Sequence, residues 1–482
     1  MVWNVALPLS GDLERDGKDL SDFVALHGDD AFRELIRTSA PQGLKAIRGC
    51  VSEGAEMTAA VLLESMRSSF PGLEPALHAG FALHAYVCFE GSNRPCALFY
   101  LGPPSSGKSL VDRLFLPTPE CPEINEYVYR CDDFTPASFV SRAANVSAKR
   151  LAEIDLLPKL ANKVLNTKEL APIFRGKADD LIRTFAVLTS VLDGDGLVTA
   201  GGSVGTRGYS DPIFFCWLGA TTPLTPHTWK VMAALGPRIL FYETAAMEPT
   251  LEDLVRAQDD EITQEEYAMR LRVNGFLREM YKRWPPRSLP ESSIECPVAA
   301  RRQIALYSRF LARLRAGLTL RDPEEANQKE ARYEPPSKEH EYRLVKTLNR
   351  LARASALVMG RRTVDETDLD LVRHIVLSSA PETRRKVAVA LLESTGAAFS
   401  RGEAHPVEVG VGTIARSIHS SVPTARHYAE ELEVLQIAKY SRAAFGDPGG
   451  GVLILAEDLR ELVDQHTHPL IAFKPPGSET SS

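Results

Sequence analysis

The sequence predicts an α/β core built on a largely parallel sheet, followed by a smaller α+β domain. Three observations carry that prediction. From Cys96 onward, short apolar runs alternate with helical stretches, the pattern of repeated strand–helix units. The first run, residues 96–101, feeds directly into a glycine-bounded loop and then a helical stretch. Beyond residue 380 the pattern changes, with helical segments at 383–393, 413–419 and 422–435 preceding two strand-like runs, 437–440 and 452–455.

The elements are read in chain order as follows. Residues 1–41 open on an apolar run at 2–7 and a polar turn, and residues 42–95 form a mostly helical linker region. The α/β core occupies 96–250. A helical region occupies 251–380, with amphipathic spacing at 265–280 and 299–318 and a further helical pair within 341–379. Its last helix is introduced by Thr363 and Glu366 at capping-box spacing. Residues 321–340, charged and carrying three prolines, read as a solvated loop. The small domain spans 381–465, and the polar tail 466–482 is expected to be disordered.

Composition bounds the function. A chain of 482 residues has room for two or three domains. Its 56 basic and 63 acidic residues give a net charge of −7, which argues against a nonspecific nucleic-acid coat, so any such contact must come from local basic patches or neutral hydrogen-bonding loops. The seven cysteines form no CxxC pair and no zinc-ligand spacing with histidine, and read as reduced thiols. No apolar run approaches the ~18–20 residues of a membrane span, and the N-terminus lacks the pattern of a signal peptide. The expectation is a cytoplasmic protein with no membrane partner.

The chemistry is concentrated in one motif. Gly102, Pro103, Pro104, Ser105, Ser106, Gly107, Lys108 and Ser109 match GxxxxGK[ST] at every defined position, and Leu110 continues into a helix. Glycines let backbone N–H groups turn inward around phosphate oxygens. Lys108 has the reach for β- and γ-phosphates, and the Ser109 hydroxyl can ligate Mg²⁺. The expected cofactors are therefore ATP and Mg²⁺, with Ser109 as the metal-binding residue. Hydrolysis further needs a carboxylate to polarise water from a neighbouring strand. Glu169 follows the short run 163–167. Asp155 competes for that role, but its segment carries apolar residues at 151, 154, 157 and 160, which reads as helix. Two more runs, 197–199 and 213–218, flank a glycine-rich loop holding Ser203, Thr206 and Arg207, and the second run ends at Gly219, Ala220, Thr221, Thr222 and Pro223.

This order of phosphate loop, acidic strand end, hairpin and polar strand end resembles the AAA+ ATPases. The branch it most resembles has a hairpin inserted before the sensor-1 strand and includes the minichromosome-maintenance helicases. The resemblance covers about 96–377. It implies that residues 102–109 are Walker A, Glu169 the Walker B glutamate, and Thr222 the sensor-1 residue, where the family usually has asparagine. It also implies that Arg238 is the arginine finger acting on a neighbouring subunit and Arg343 the sensor-2 arginine of a helical lid. A finger of that kind implies a homo-oligomeric ring, commonly a hexamer. One departure stands out: the family's Walker B aspartate is replaced by Lys168, which cannot support Mg²⁺. Residues 381–465 resemble a winged helix, which implies Thr424, Arg426 and His427 toward a DNA groove and Lys439 and Arg442 near the wing. Glu430, Glu431 and Glu433 on the same helix fit a protein contact as well. Residues 1–41 resemble the closing segment of a TOPRIM primase domain from mobile-element primase–helicases, which implies a separate primase partner. Two functions follow as expectations. One is an ATP-driven DNA helicase or translocase acting on single-stranded or forked DNA in mobile-element replication. The other is an ATP-dependent oligomeric switch that contacts protein or promoter DNA without translocating.

Overall fold

The computed structural model describes residues 57–91, 94–141, 146–201, 205–236, 238–244, 251, 261–320, 333–442 and 450–463. The chain divides into the units Met1–Met57 and Thr58–Ser482, and every element below belongs to the second. The TOPRIM-like segment, Ser203 and the tail 466–482 lie outside the described residues.

Two helices, α1 (Ala59–Ser69) and α2 (Glu74–Cys88), precede the core. The Thr58 side chain caps α1 by accepting from Val61 N–H. The core is a five-stranded parallel sheet in the order β2-β3-β6-β1-β7, formed by β1 (Cys96–Leu101), β2 (Val128–Arg130), β3 (Val164–Thr167), β6 (Cys216–Thr221) and β7 (Ile239–Glu243). β1 and β6 are buried along their whole length, as the continuous apolar run CALFYL requires of a central parallel strand. α3 (Lys108–Leu114) and α4 (Ala178–Asp193) come between β1 and β6 in the chain, and α5 (Pro226–Leu235) between β6 and β7. Phe99, Phe174, Trp217 and Phe241 form the aromatic centre of the core, with ring centroids 5.1–6.3 Å apart.

The glycine-rich stretch folds differently from its sequence reading. The runs 197–199 and 213–218 do not face each other across a loop. β4 (Leu197–Gly201) pairs instead with β5 (Gly205–Tyr209), which lies inside the glycine-rich stretch, and the second run enters the central sheet as β6, starting at Cys216. Glycine makes this possible: at Gly208 (φ 127°) a Cβ would sit 2.0 Å from the Leu197 carbonyl oxygen. The hairpin is anchored by Tyr209 Oη donating to Asp155 Oδ2 at 2.8 Å.

The helical region comprises α6 (Glu261–Arg283), α7 (Val298–Leu314), α8 (Glu341–Val358) and α9 (Glu366–Ser378). The capping box of α9 is Asp365 with Asp368, two residues beyond the expected Thr363 and Glu366. Asp365 accepts from Thr367 N–H, and Asp368 Oδ2 accepts from Asp365 N–H at 2.9 Å. α9 and the residue after it cover the free edge of β7. Ser379 Oγ accepts from Phe241 N–H at 2.8 Å and Ser378 Oγ from Glu243 N–H at 3.0 Å.

The last domain contains α10 (Glu382–Ser400), β8 (Val409–Gly410), α11 (Val411–Ser417), α12 (Val422–Val434), β9 (Ala438–Ser441) and β10 (Val452–Leu455). The strands form an antiparallel sheet ordered β8-β10-β9. It is tied to the helical region through Arg313, which donates to Gln436 O at 2.7 Å and Asp458 Oδ1 at 3.0 Å. Arg384 Nε bonds Glu431 at 2.8 Å while its Nη1 reaches the carbonyls of Leu314 and Ala316.

Ser379→Ala removes the only side chain bonded to the buried Phe241 N–H among the described residues. Leaving that donor unsatisfied should destabilise the fold by about 1–3 kcal/mol, read as a fall in the chemical-denaturation midpoint with an unchanged m-value.

Candidate functional site

The carboxyl edge of the sheet gathers the motif residues. β1 ends at Leu101 beside Thr221 of β6, and Gly102 N–H donates to the Thr221 carbonyl at 3.3 Å. The loop then reverses through two left-handed residues, Ser105 (φ 65°) and Gly107 (φ 75°), before Lys108 starts α3. Neither glycine can be replaced freely. A Cβ on Gly102 would lie 2.3 Å from Ser106 Oγ, and one on Gly107 would lie 2.5 Å from Leu73 Cδ1. Ser106 Oγ is bonded to Thr244 Oγ1 at 2.9 Å, and Thr244 N–H donates to the Leu101 carbonyl at 2.8 Å. Thr244, at the end of β7, is thus a loop-positioning residue that the sequence reading missed. Lys108 is 5% exposed and its ammonium donates to the Pro103 carbonyl at 3.1 Å, spanning the loop. An entering phosphate would compete with that carbonyl for the ammonium. Pro103, Pro104 and Ser105 are exposed, Ser106 is buried, and Ser109 and Leu110 are half-buried.

Glu169 lies just past β3, and the pairing with β6 continues there through Leu170 N–H to the Ala220 carbonyl at 2.8 Å. Its Oε1 accepts from Ala171 N–H at 2.8 Å, capping the one-turn helix Ala171–Phe174. Lys168 is exposed. Thr222 follows β6, and its Oγ1 accepts from Arg175 Nη2 at 3.2 Å. The rival carboxylate, Asp155, is buried between two short helices and accepts from Ser141 N–H at 2.7 Å as well as from Tyr209. Its bonds hold loops together.

A second carboxylate is buried under the loop. Asp112, on α3, is fully buried, and its Oδ1 accepts from Asn166 Nδ2 of β3 at 3.1 Å. Burial pushes its carboxyl up to about 8, against the lowering effect of the Asn166 bond. Asp112 Oδ2 and Asn166 Oδ1 have no hydrogen-bond partner among the described residues. The glycine-bounded loop with Lys108 fits a triphosphate, and the unpartnered oxygens of Asp112 and Asn166 fit the water ligands of a divalent cation.

Arg238 and Arg343 lie elsewhere. Arg238 precedes β7 and so sits at the amino edge of the sheet, one strand length (~17 Å at ~3.3 Å per residue) from the phosphate loop. Both arginines converge on Asp193, at the C-terminus of α4. Arg238 Nε donates to Asp193 Oδ1 at 3.1 Å and Arg343 Nη1 to the same oxygen at 2.6 Å. Arg343 Nη2 also takes the Leu192 carbonyl at 3.1 Å, a favourable placement of positive charge at a helix end. With Arg94, they line an open cavity of ≈ 470 Å³. Asp193 carried no sequence signal, because its partners are 45 and 150 residues away in the chain.

In the last domain, Arg426 and Lys439 are exposed, and Arg442 is exposed beside Glu430 at 3.3 Å. His427 is half-buried, with its side chain 41% exposed: it bonds Tyr333 Oη at 3.4 Å and lines, with Tyr428 and Glu431, a cleft of ≈ 500 Å³. Thr424 is engaged in the Ser421 cap, its Oγ1 2.8 Å from Ser421 Oγ. The six cysteines among the described residues are free thiols. No helix among those residues is long and apolar enough to cross a membrane.

No protein-family model and no curated protein matches the chain. Among solved structures, it is similar to a full-length MCM homolog from Methanopyrus kandleri, at 13% identity and a TM-score of 0.31. The match covers 71% of this chain and 63% of that one, so this chain spans less than two thirds of that structure's length.

Burial raises the Asp193 carboxyl, but the bonds from Arg238 and Arg343 outweigh it and leave the group below the usual carboxylate range. A depressed folded pKa contributes stability above the unfolded value of about 3.9 and loses it as pH falls through the folded value. Asp193→Asn should therefore cost on the order of 1 kcal/mol at pH 7. The gap to wild type should close in denaturation curves taken progressively below pH 4.

Proposed function

We propose that the chain is an ATP-binding and ATP-hydrolysing AAA+ motor that assembles into a ring and moves on DNA. The observation that carries this reading is the folded phosphate loop at the end of β1, with Lys108 reaching across it to the Pro103 carbonyl and glycines where a Cβ would collide with Ser106, Thr244 or Leu73. In this reading Lys108 exchanges the Pro103 carbonyl for β- and γ-phosphate oxygens. The Glu169 carboxylate, held through Oε1 by Ala171 N–H, keeps Oε2 to orient the attacking water. The Thr222 hydroxyl approaches the γ-phosphate from the neighbouring strand. Mg²⁺ at Ser109 supplies neutralisation of the phosphate charge.

Arg238 and Arg343 stand at the opposite edge of the sheet from their own chain's loop. They are therefore read as acting on the nucleotide of an adjacent subunit, which makes a closed homo-oligomer, commonly a hexamer, the functional unit. The last domain is read as a winged helix, supported by its order of helix, strand, helix, helix, strand, strand. Thr424, Arg426 and His427 are read as its DNA-facing residues, with Lys439 and Arg442 near the wing, and the β4–β5 hairpin with Thr206 and Arg207 is read as the second DNA contact. A separate primase partner and a cytoplasmic location complete this reading.

One observation favours the oligomeric switch as a second reading. The exposed Lys168 leaves the strand end without the usual aspartate, which fits slow turnover. Single-stranded DNA should stimulate ATPase activity of a motor and leave that of a switch unchanged, and only a motor should unwind a forked duplex. Arg238→Ala should lower kcat by about 10³-fold, and Lys108→Ala should abolish turnover. Mixing the two inactive variants should restore measurable activity, because some interfaces then combine an intact loop with an intact arginine. No recovery on mixing would contradict catalysis across a subunit interface.

A further inference from the structure

We infer that Asp112, on the phosphate-loop helix, supplies the carboxylate that steadies the divalent cation at Ser109, in place of a carboxylate at the end of β3. The inference rests on the nucleotide-site reading above and assigns one residue within it. A divalent cation at a phosphate loop keeps several waters and needs a carboxylate to orient them. The end of β3 does not offer one in the usual position: Lys168 is exposed, and the Glu169 carboxylate, held through Oε1 by Ala171 N–H, is the group assigned above to the attacking water.

Asp112 stands three residues after Ser109 on α3. Helical residues at that spacing share a face with Cβ atoms ~5–6 Å apart, and helical side chains lean toward the N-terminus, here toward Ser109. Asn166 fixes the carboxylate against β3 by donating to its Oδ1 at 3.1 Å and to the Asp112 carbonyl at 3.3 Å. Two buried oxygens remain without a partner among the described residues, Asp112 Oδ2 and Asn166 Oδ1, and a cation nearby favours the ionised carboxylate that burial alone disfavours. Leaving such atoms unsatisfied is costly, and a water ligand of a cation at Ser109 is a donor that satisfies them. The other acids at this edge are differently placed. Asp132 is exposed and paired with Arg130, Asp133 is exposed, and Glu243 at the end of β7 is paired with Arg385.

The test measures binding of a fluorescent ATP analogue to the full chain in EDTA and in Mg²⁺, alongside Mn²⁺ binding by electron paramagnetic resonance. Asp112→Asn should leave affinity in EDTA within about twofold of wild type. It should reduce the Mg²⁺-dependent gain by about 10-fold or more and weaken nucleotide-dependent Mn²⁺ binding similarly. The double variant Asp112→Asn with Asn166→Asp keeps an Asp–Asn pair in the same space and should recover most of the gain, which guards against a folding artefact. A wild-type Mg²⁺ gain in Asp112→Asn overturns the inference. So does equal loss in EDTA and Mg²⁺ at an unchanged melting temperature, which would assign Asp112 to the shape of the loop. A wild-type chain that binds no nucleotide in either condition instead contradicts the nucleotide site itself.

Discussion

The tight reversal between β1 and α3 is the constraint on which the rest of the molecule depends. The chain leaves the central strand at Leu101 and must begin a helix at Lys108, which it does through left-handed backbone at Ser105 and Gly107. A serine in that conformation is strained, and strain of this kind persists only where surrounding contacts over-determine it. Here those contacts are Thr244 at the end of β7, which holds Ser106 and the Leu101 carbonyl, and Leu73, whose side chain packs against Gly107. The loop is thus a product of the whole sheet edge. α9 in turn covers the free edge of β7 through Ser378 and Ser379, so the helical region steadies the strand that steadies the loop.

The molecule also places its two polar clusters at opposite sheet edges. The carboxyl edge carries the phosphate loop, Glu169 and Thr222, and the amino edge carries Arg94, Arg238 and Arg343 around Asp193. A parallel sheet makes that separation unavoidable, because all strand ends of one kind lie on one side. Asp193 joins an arginine of the core to one of α8, so the amino-edge cluster spans core and helical region. Movement of α8 relative to the core would therefore reorganise both arginines together.

The features written in local pattern were legible in the sequence. The β1 run, the phosphate loop and the long helices at 261–283, 298–314 and 341–358 follow from apolar periodicity and one strong motif. What escaped was written in space. β5 is nearly half glycine and polar, so nothing in its composition marks a strand, and only its close approach to Leu197 explains it. The α9 cap moved to Asp365 because Asp368, buried and bonded to Ser355 and Arg361, can also reach back to the cap. Asp112 reads as an ordinary residue of an amphipathic helix, and its burial against Asn166 depends on a strand 54 residues away. The contact of His427 with Tyr333 was likewise invisible, because the two residues are 94 apart in the chain.

The account stands or falls on the loop as a nucleotide site. Isothermal titration of ATP with Mg²⁺ into the purified full chain tests it most directly. The account requires saturable binding at one site per chain that disappears in Lys108→Ala while the melting temperature of that variant is retained. Equal binding by both proteins, or none by the wild type up to millimolar ATP, would contradict it.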